Sequence, residues 1–128
     1  MIYGIGTDIV KIDRLGKFYE RHGRHGAERL LSANELTSFD LAKDKERFLA
    51  KRFAAKEAFA KAMGTGIRGV ISFANIEITH NELGKPEFAY HAGLANQVAD
   101  LGLNAHLSIS DEHDYAMAYV VIEKTKIA

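Results

Sequence analysis

The chain has 128 residues, enough for one domain with a real core and too few for two. Hydrophobic residues make up 47% and charged residues 27%, and no apolar run approaches the roughly 20 residues of a membrane span, so a soluble globular protein is expected. Formal net charge is zero, which gives no electrostatic support for a nucleic-acid binder, and the absence of cysteine excludes disulfides, thiolate metal sites and cysteine nucleophiles. The start MIYGIGTDIV lacks the basic, cleavable pattern of a secretory signal, so the simplest expectation is a cytoplasmic location.

Ile2 to Val10 is short, β-branched and interrupted by glycine, and reads as a first strand with Asp8 near its end. Gly4 and Gly6 weaken a strand but clear space, as glycine does where another backbone or a ligand approaches closely. Asp8 is then either the cap of a turn or a carboxylate beside that cleared space. From Asp13 to about His22, DRLGKFYERH has Asp13 as a candidate N-cap and Leu15, Phe18 and Tyr19 as an inner face, which predicts a short helix. Arg14, Lys17, Arg21 and Arg24 recur at steps of three and four and line one side if the helix persists to Arg24, although Gly23 and Gly26 weigh against its last turn. Residues 11–30 hold six Lys or Arg against three Asp or Glu. Such a stripe is either a solvated face or a docking strip for an acidic partner.

Ser32 and Glu35 form the S-x-x-E capping box of a helix running to about Ala42. Lys43 to Arg47 alternates in charge and reads as an exposed connection, with Arg47 in reach of a phosphate. The long helix that begins near Glu46 contains the most unusual stretch of the chain, RFAAKEAFAKAMGTG from Arg52 to Gly66. Phe48, Leu49, Phe53, Ala55, Phe59, Ala60, Ala62 and Met63 gather on one apolar arc, yet Arg52 and Lys56 project from inside it. Glu57 and Lys61 stand at the edge of the arc, four residues apart, and Gly64 and Gly66 close the helix. In one reading the Lys and Arg stems snorkel to water and Glu57 with Lys61 is an ordinary pair worth about 0.2–0.5 kcal/mol. In the other, a carboxylate for a hard cation and cations for phosphate flank a Gly-Thr-Gly turn whose backbone N–H groups approach a ligand.

Beyond Gly66, residues 67–73 read as an irregular loop, and Asn75 to His80 with Glu87 to Tyr90 as a hairpin around Asn81, Gly84 and Pro86. His91 to Leu101 is a packing helix stopped by Gly102. Ala105 to Ser110 and Tyr115 to Glu123 alternate well and form a closing antiparallel hairpin around DEHD. No repeat or linker divides the chain, which is read as a single domain over 1–128.

GIGTDIV at 4–10, RFAAKEAFAKAMGTG at 52–66, LGKP at 83–86 and HLSIS at 106–110 resemble, over almost the whole chain, the holo-acyl-carrier-protein synthase family of small bacterial phosphopantetheinyl transferases. The resemblance implies an α+β fold in single copy, an antiparallel sheet packed against the long central helix, assembling as a homotrimer with active sites at subunit interfaces. It implies Mg2+ held by Asp8 and Glu57, with Lys61 one turn on to neutralise charge on the leaving phosphate. Its substrate is coenzyme A, for which Arg52, Lys56, Lys61, Gly64, Thr65, Gly66 and Ser108 are the candidate contacts. Its partner is acyl carrier protein, acidic around the modified serine, and the resemblance sets that partner against Arg14, Lys17, Arg21 and Arg24. The family moves the 4'-phosphopantetheine arm to that serine and releases 3',5'-ADP in fatty acid biosynthesis. The serine proton goes either to a carboxylate such as Glu57 or to a metal-bound water, and the sequence leaves both open.

One position departs from the pattern. Many relatives carry histidine directly after the S-x-S/T strand, near bound coenzyme, whereas Asp111 follows Ser110 here, and neither His106 nor His113 occupies that place. A non-catalytic module that docks an acidic protein through its basic first helix is the alternative of a different class. Another magnesium-dependent nucleotide enzyme is disfavoured by the absence of a GxxxxGK[ST] loop.

Overall fold

The computed structural model describes residues 1–125. In chain order the elements are β1 (Ile2–Lys11), α1 (Ile12–Leu30), α2 (Ala33–Leu41), α3 (Lys45–Met63), β2 (Ile76–His80), β3 (Pro86–Tyr90), α4 (Ala92–Leu101), β4 (Leu103–Asp111) and β5 (Tyr115–Lys124). The strands form two antiparallel sheets, one of order β1-β5-β4 and one of β2-β3. The fold is therefore α+β, and α3 lies across the larger sheet, with β1 and β5 as its main partners.

Glycine and alanine set the depth of that packing. A Cβ at Gly4 would stand 1.9 Å from the Ala62 carbonyl oxygen, and one at Gly6 2.1 Å from that of Ala58. The space those glycines clear is thus filled by the backbone of α3, which sinks onto β1 on a helix face of Ala54, Ala55, Ala58 and Ala62, all buried. On the other flank Phe59 is fully buried and packs at 5.0 Å from Phe88 and 5.5 Å from Tyr90, ring centre to ring centre, so α3 is clamped between the two sheets. Truncating such an aromatic to alanine costs about 3–5 kcal/mol.

Local signals account for the remaining boundaries. The Ser32–Glu35 capping box is present in full, and α3 starts on the Asp44 side chain, which accepts from the Arg47 amide. Helix α1 differs from its predicted extent. It runs to Leu30 across a break at Gly23, whose φ of 63° and ψ of −156° suit glycine alone, and the buried Gly26, Ala27 and Leu30 hold the second half down. Asp13 is not its cap; the helix opens at Lys11 with no side-chain cap, and Asp13 in the first turn pairs with Lys17 at 3.2 Å.

Candidate functional site

Alternation along β1 turns Gly4, Gly6, Asp8 and Val10 toward α3, and the 100° step of the helix brings Glu57 and Lys61 to the same end of the contact. Lys61 Nζ donates to Asp8 Oδ1 at 3.2 Å and to the Thr7 carbonyl at 2.9 Å, which leaves its third N–H open. Asp8 is largely covered, its side chain 16% exposed, while Lys61 is 54% exposed, so a shielded carboxylate meets an accessible ammonium. Glu57 stands half-buried beside them. Burial first, then the charge of Asp8, push its carboxyl above the ordinary glutamate range, against the opposing pull of Lys61 and Arg14. Arg14 reaches this place from the first turn of α1, its guanidinium 5.4 Å from the centre of the Phe53 ring, and Phe53 stacks on Phe73 at 5.7 Å.

Three predicted cations are placed otherwise. Lys56 is fully buried, and its ammonium donates to Glu35 Oε1 at 2.5 Å, the Phe73 carbonyl at 2.7 Å and the Leu30 carbonyl at 2.9 Å, so all three protons are engaged inside the protein. Arg52 is also buried, 3.4 Å from Glu35 Oε2 and 4.3 Å from the centre of the Phe48 ring. Lys56 thus has no proton left for a coenzyme, whereas Arg52 Nε is the one buried side-chain polar atom among the described residues without a hydrogen bond; the sign was their position inside the apolar arc, where burial beside a carboxylate won over snorkelling. Arg24, beyond the Gly23 break, is tied by two hydrogen bonds to Asp40 and one to Glu28. Of the predicted strip, Arg14 and Arg21 alone carry no carboxylate partner among the described residues.

The Gly64–Gly66 turn is a left-handed cap, with φ of 82° at Gly64 and 69° at Gly66. Its amides point back into the helix: Gly64 donates to the Lys61 carbonyl at 2.9 Å, and Thr65 and Gly66 to the Ala60 carbonyl at 3.4 and 3.2 Å. The turn therefore does not present those N–H groups to a ligand. What it offers is an open surface with no side chain at either glycine. Ser108 lies on the opposite face of the sheet from Asp8, because it pairs with Tyr119, which in turn pairs with Thr7 rather than Asp8. One chain does not bring Ser108 to the Asp8 and Glu57 carboxylates.

Sequence reasoning missed the Phe53–Phe73 stack, whose signal was the four-residue spacing of Phe53 and Glu57 on one helix face. It also missed the anchor of the Asp111 departure. Asp111 Oδ2 accepts from Arg47 at 2.8 Å, and Arg47 further donates to the carbonyls of Glu112 and His113 at 2.7 and 3.3 Å. Arg47, predicted to reach a phosphate, instead straps the β4–β5 turn to the start of α3.

The chain belongs to the 4'-phosphopantetheinyl transferase superfamily, whose family model matches residues 4–120. It is similar to the holo-[acyl-carrier-protein] synthase of Dechloromonas aromatica, 54% identical over 123 residues that cover 96% of this chain and 98% of that one. The crystal structure of the holo-[acyl-carrier-protein] synthase of Neisseria meningitidis superposes with a TM-score of 0.93 at 52% identity, over 97% of this chain and 100% of that chain. That of Bacillus anthracis, in complex with CoA (3',5'-ADP), does so with a TM-score of 0.84 at 37% identity, over 98% of this chain and 99% of that chain.

Among the described residues no group of three His, Cys, Asp or Glu could hold a metal ion. Two carboxylates do converge, however, and burial, then the like charge of Asp8, hold the Glu57 pKa up against the pull of Lys61 and Arg14. Magnesium is commonly held by one or two carboxylates with substrate phosphate and water completing the shell, so the donor set fits it.

Proposed function

We propose that the protein transfers the 4'-phosphopantetheine arm of coenzyme A to a serine hydroxyl of apo-acyl carrier protein, releasing 3',5'-ADP, as a magnesium-dependent cytoplasmic step of fatty acid biosynthesis. The observation that carries the reading is the meeting of Asp8, Glu57 and Lys61 at one exposed end of the α3–β1 contact, two carboxylates and an ammonium with unfilled bonding capacity. In the step, the serine oxygen bonds to the phosphorus that carries the pantetheine arm, and the bond from that phosphorus to the leaving 3',5'-ADP breaks. Asp8 and Glu57 would hold Mg2+, which when bound supplies positive charge against the pyrophosphate. The open N–H of Lys61 serves the leaving phosphate, and the serine proton goes either to a carboxylate such as Glu57 or to a metal-bound water. The Gly64–Thr65–Gly66 surface lies against the coenzyme, and Arg14, Lys17 and Arg21 face the carrier protein.

Assembly as a homotrimer completes this reading. The face of the larger sheet turned away from α3 exposes Tyr3, Ile5, Ile9, Met117 and Tyr119, with Ile5 at 59% and Ile9 at 63%, a contiguous apolar surface of the sort that subunits cover. Ser108 stands on that face and so reaches a coenzyme only at a subunit boundary. No helix among the described residues is long and apolar enough to cross a membrane.

The test is the mass of an apo-acyl carrier protein after incubation with the protein, coenzyme A and Mg2+. A gain of one phosphopantetheine arm, about 340 Da, that is lost with Asp8→Ala supports the reading and its metal site. No gain with a folded protein and a competent carrier overturns it in favour of a docking module.

A further inference from the structure

We infer that Lys56 is a positioning residue for coenzyme binding: from inside the core, its ammonium holds the loop that continues the Gly64–Gly66 surface. The inference rests on the reading that this surface faces coenzyme A.

Residues 64–75 leave the end of α3 and return to β2 with little regular structure, a single Arg68–Ile71 bridge being the loop's own ladder contact. At one end the loop is fixed by the left-handed cap of α3. At the other, the Phe73 carbonyl accepts from Lys56 Nζ at 2.7 Å. The same nitrogen holds the Leu30 carbonyl at the end of α1 and Glu35 at the start of α2, so one atom joins three segments to the turn of α3 that carries Glu57. Its stem has no freedom to drift, since Lys56 has no exposed surface. Glu35 is equally fixed: its oxygens also accept from the amides of Ser32 and Ile78 at 2.9 and 3.0 Å, in a site 2% exposed. The ammonium is thus a rigid peg, and Phe73, stacked on Phe53 beneath Arg14, is the part of the loop it holds nearest the site. An apolar residue of the same length would fill the volume but release the carbonyl.

Glu35 is shared by two buried cations, Lys56 at 2.5 Å and Arg52 at 3.4 Å, so removing Lys56 strips the carboxylate of its nearer partner, and neutralising Glu35 as well leaves Arg52 without one. The experiment therefore compares Lys56→Met, Glu35→Gln and the Lys56→Met/Glu35→Gln double variant, measuring thermal midpoint, kinetics with coenzyme A, and hydrogen exchange of the amides in 67–73. Lys56→Met is expected to lower the midpoint, and the double variant, in which Arg52 has lost Glu35, to regain only part of the loss. The double variant is nonetheless expected to keep a KM for coenzyme A at least tenfold above wild type, with kcat within threefold, and loop amides exchanging at least tenfold faster. Glu35→Gln, which leaves the Phe73 bond in place, is expected to keep KM within twofold. Should KM and loop exchange return to wild-type values together with stability in the double variant, Lys56 is core filling alone and the inference falls. It falls equally if Glu35→Gln raises KM tenfold or more, the arm that decides where the lysine variants do not fold. If the wild-type protein shows no transfer at all, the functional reading has failed instead, and unchanged loop exchange in the variants still overturns the positioning role.

Discussion

Helix α3 carries the same residue types on two faces and puts them to opposite uses. Inward, Arg52 and Lys56 meet Glu35, with Glu77 close by, and these side chains are almost wholly covered. Outward, Lys61 meets Asp8 and Glu57 under the influence of Arg14. In the inner cluster the protein completes the bonds of both its ammonium and its central carboxylate, and leaves one buried donor, Arg52 Nε, with an ion-pair contact alone. In the outer one it stops short: an ammonium proton is open, and a carboxyl pKa is raised by burial and then by a like charge, which Lys61 and Arg14 offset only in part. Completed polar networks fix a structure, and incomplete ones at the surface are available for chemistry.

That contrast is sharpest in a pair of single substitutions. Glu57→Gln is expected to lower the rate of carrier modification by at least about 100-fold, the range of a lost proton acceptor or metal contact, measured in the mass assay. Its stability should rise slightly. A carboxyl whose folded pKa lies above its unfolded value destabilises the native state while ionised, and that cost fades as pH falls through the raised pKa. Glutamine removes the cost at neutral pH, so Glu57→Gln should show a smaller gain in thermal midpoint than wild type does when pH is lowered toward 5. Lys56→Met should do the reverse, lowering stability in urea unfolding, though by less than the roughly 3–5 kcal/mol of a wholly unpaired buried charge, because Glu35 keeps Arg52 at 3.4 Å. If Glu57→Gln proved the more destabilising of the two, the assignment of one face to structure and the other to chemistry would be wrong.

How far this division was legible depends on how local its signals are. Glu57, Lys61 and the Gly64 cap lie within two turns and Asp8 stands on a glycine-marked strand, so periodicity singled these residues out, while joining Asp8 to Glu57 took the family resemblance. The capping box at Ser32 and both hairpins were legible for the same reason. Lys56 was not, because its acceptors Glu35, Leu30 and Phe73 are 21, 26 and 17 residues away, and nothing near position 56 announces a buried carboxylate. Gly23 misled in another way: glycine commonly stops a helix, but here tertiary burial of Gly26, Ala27 and Leu30 carries α1 on past the break. Ser108 required the register of three strands, which sequence alternation does not supply.

The inner cluster has its own pH test, of smaller size. Burial pushes Glu77 up, but hydrogen bonds from Ser32, His91 and Asn34 outweigh it and hold the carboxyl below its ordinary range. A carboxyl depressed in the folded state contributes stability that is fully present above its unfolded pKa and lost as pH falls through the lowered one. Wild-type stability should therefore decline below about pH 4.5, the ordinary glutamate value, and Glu77→Gln should start lower at neutral pH and flatten that acid limb. Identical slopes in the two proteins would remove Glu77 from the structural side of the comparison.

The smallest effect is expected on α1, where the same division recurs within a single helix. Arg24 is held by Asp40 and Glu28, whereas Arg21 has no carboxylate partner among the described residues. Exposed charge contacts are worth about 0.2–1 kcal/mol each, so Arg21→Ala should raise the KM for an acidic carrier about 1.4- to 5-fold at low salt. That difference should shrink at 0.5 M salt, where screening reaches only a few ångströms. Arg24→Ala should leave carrier KM close to wild type and lower stability slightly, because the bonds it breaks are internal. Equal effects of the two alanines on carrier binding would mean that the Arg24 bonds open on docking, and that an ion pair closed within the free chain is no guide to which charges its partner meets.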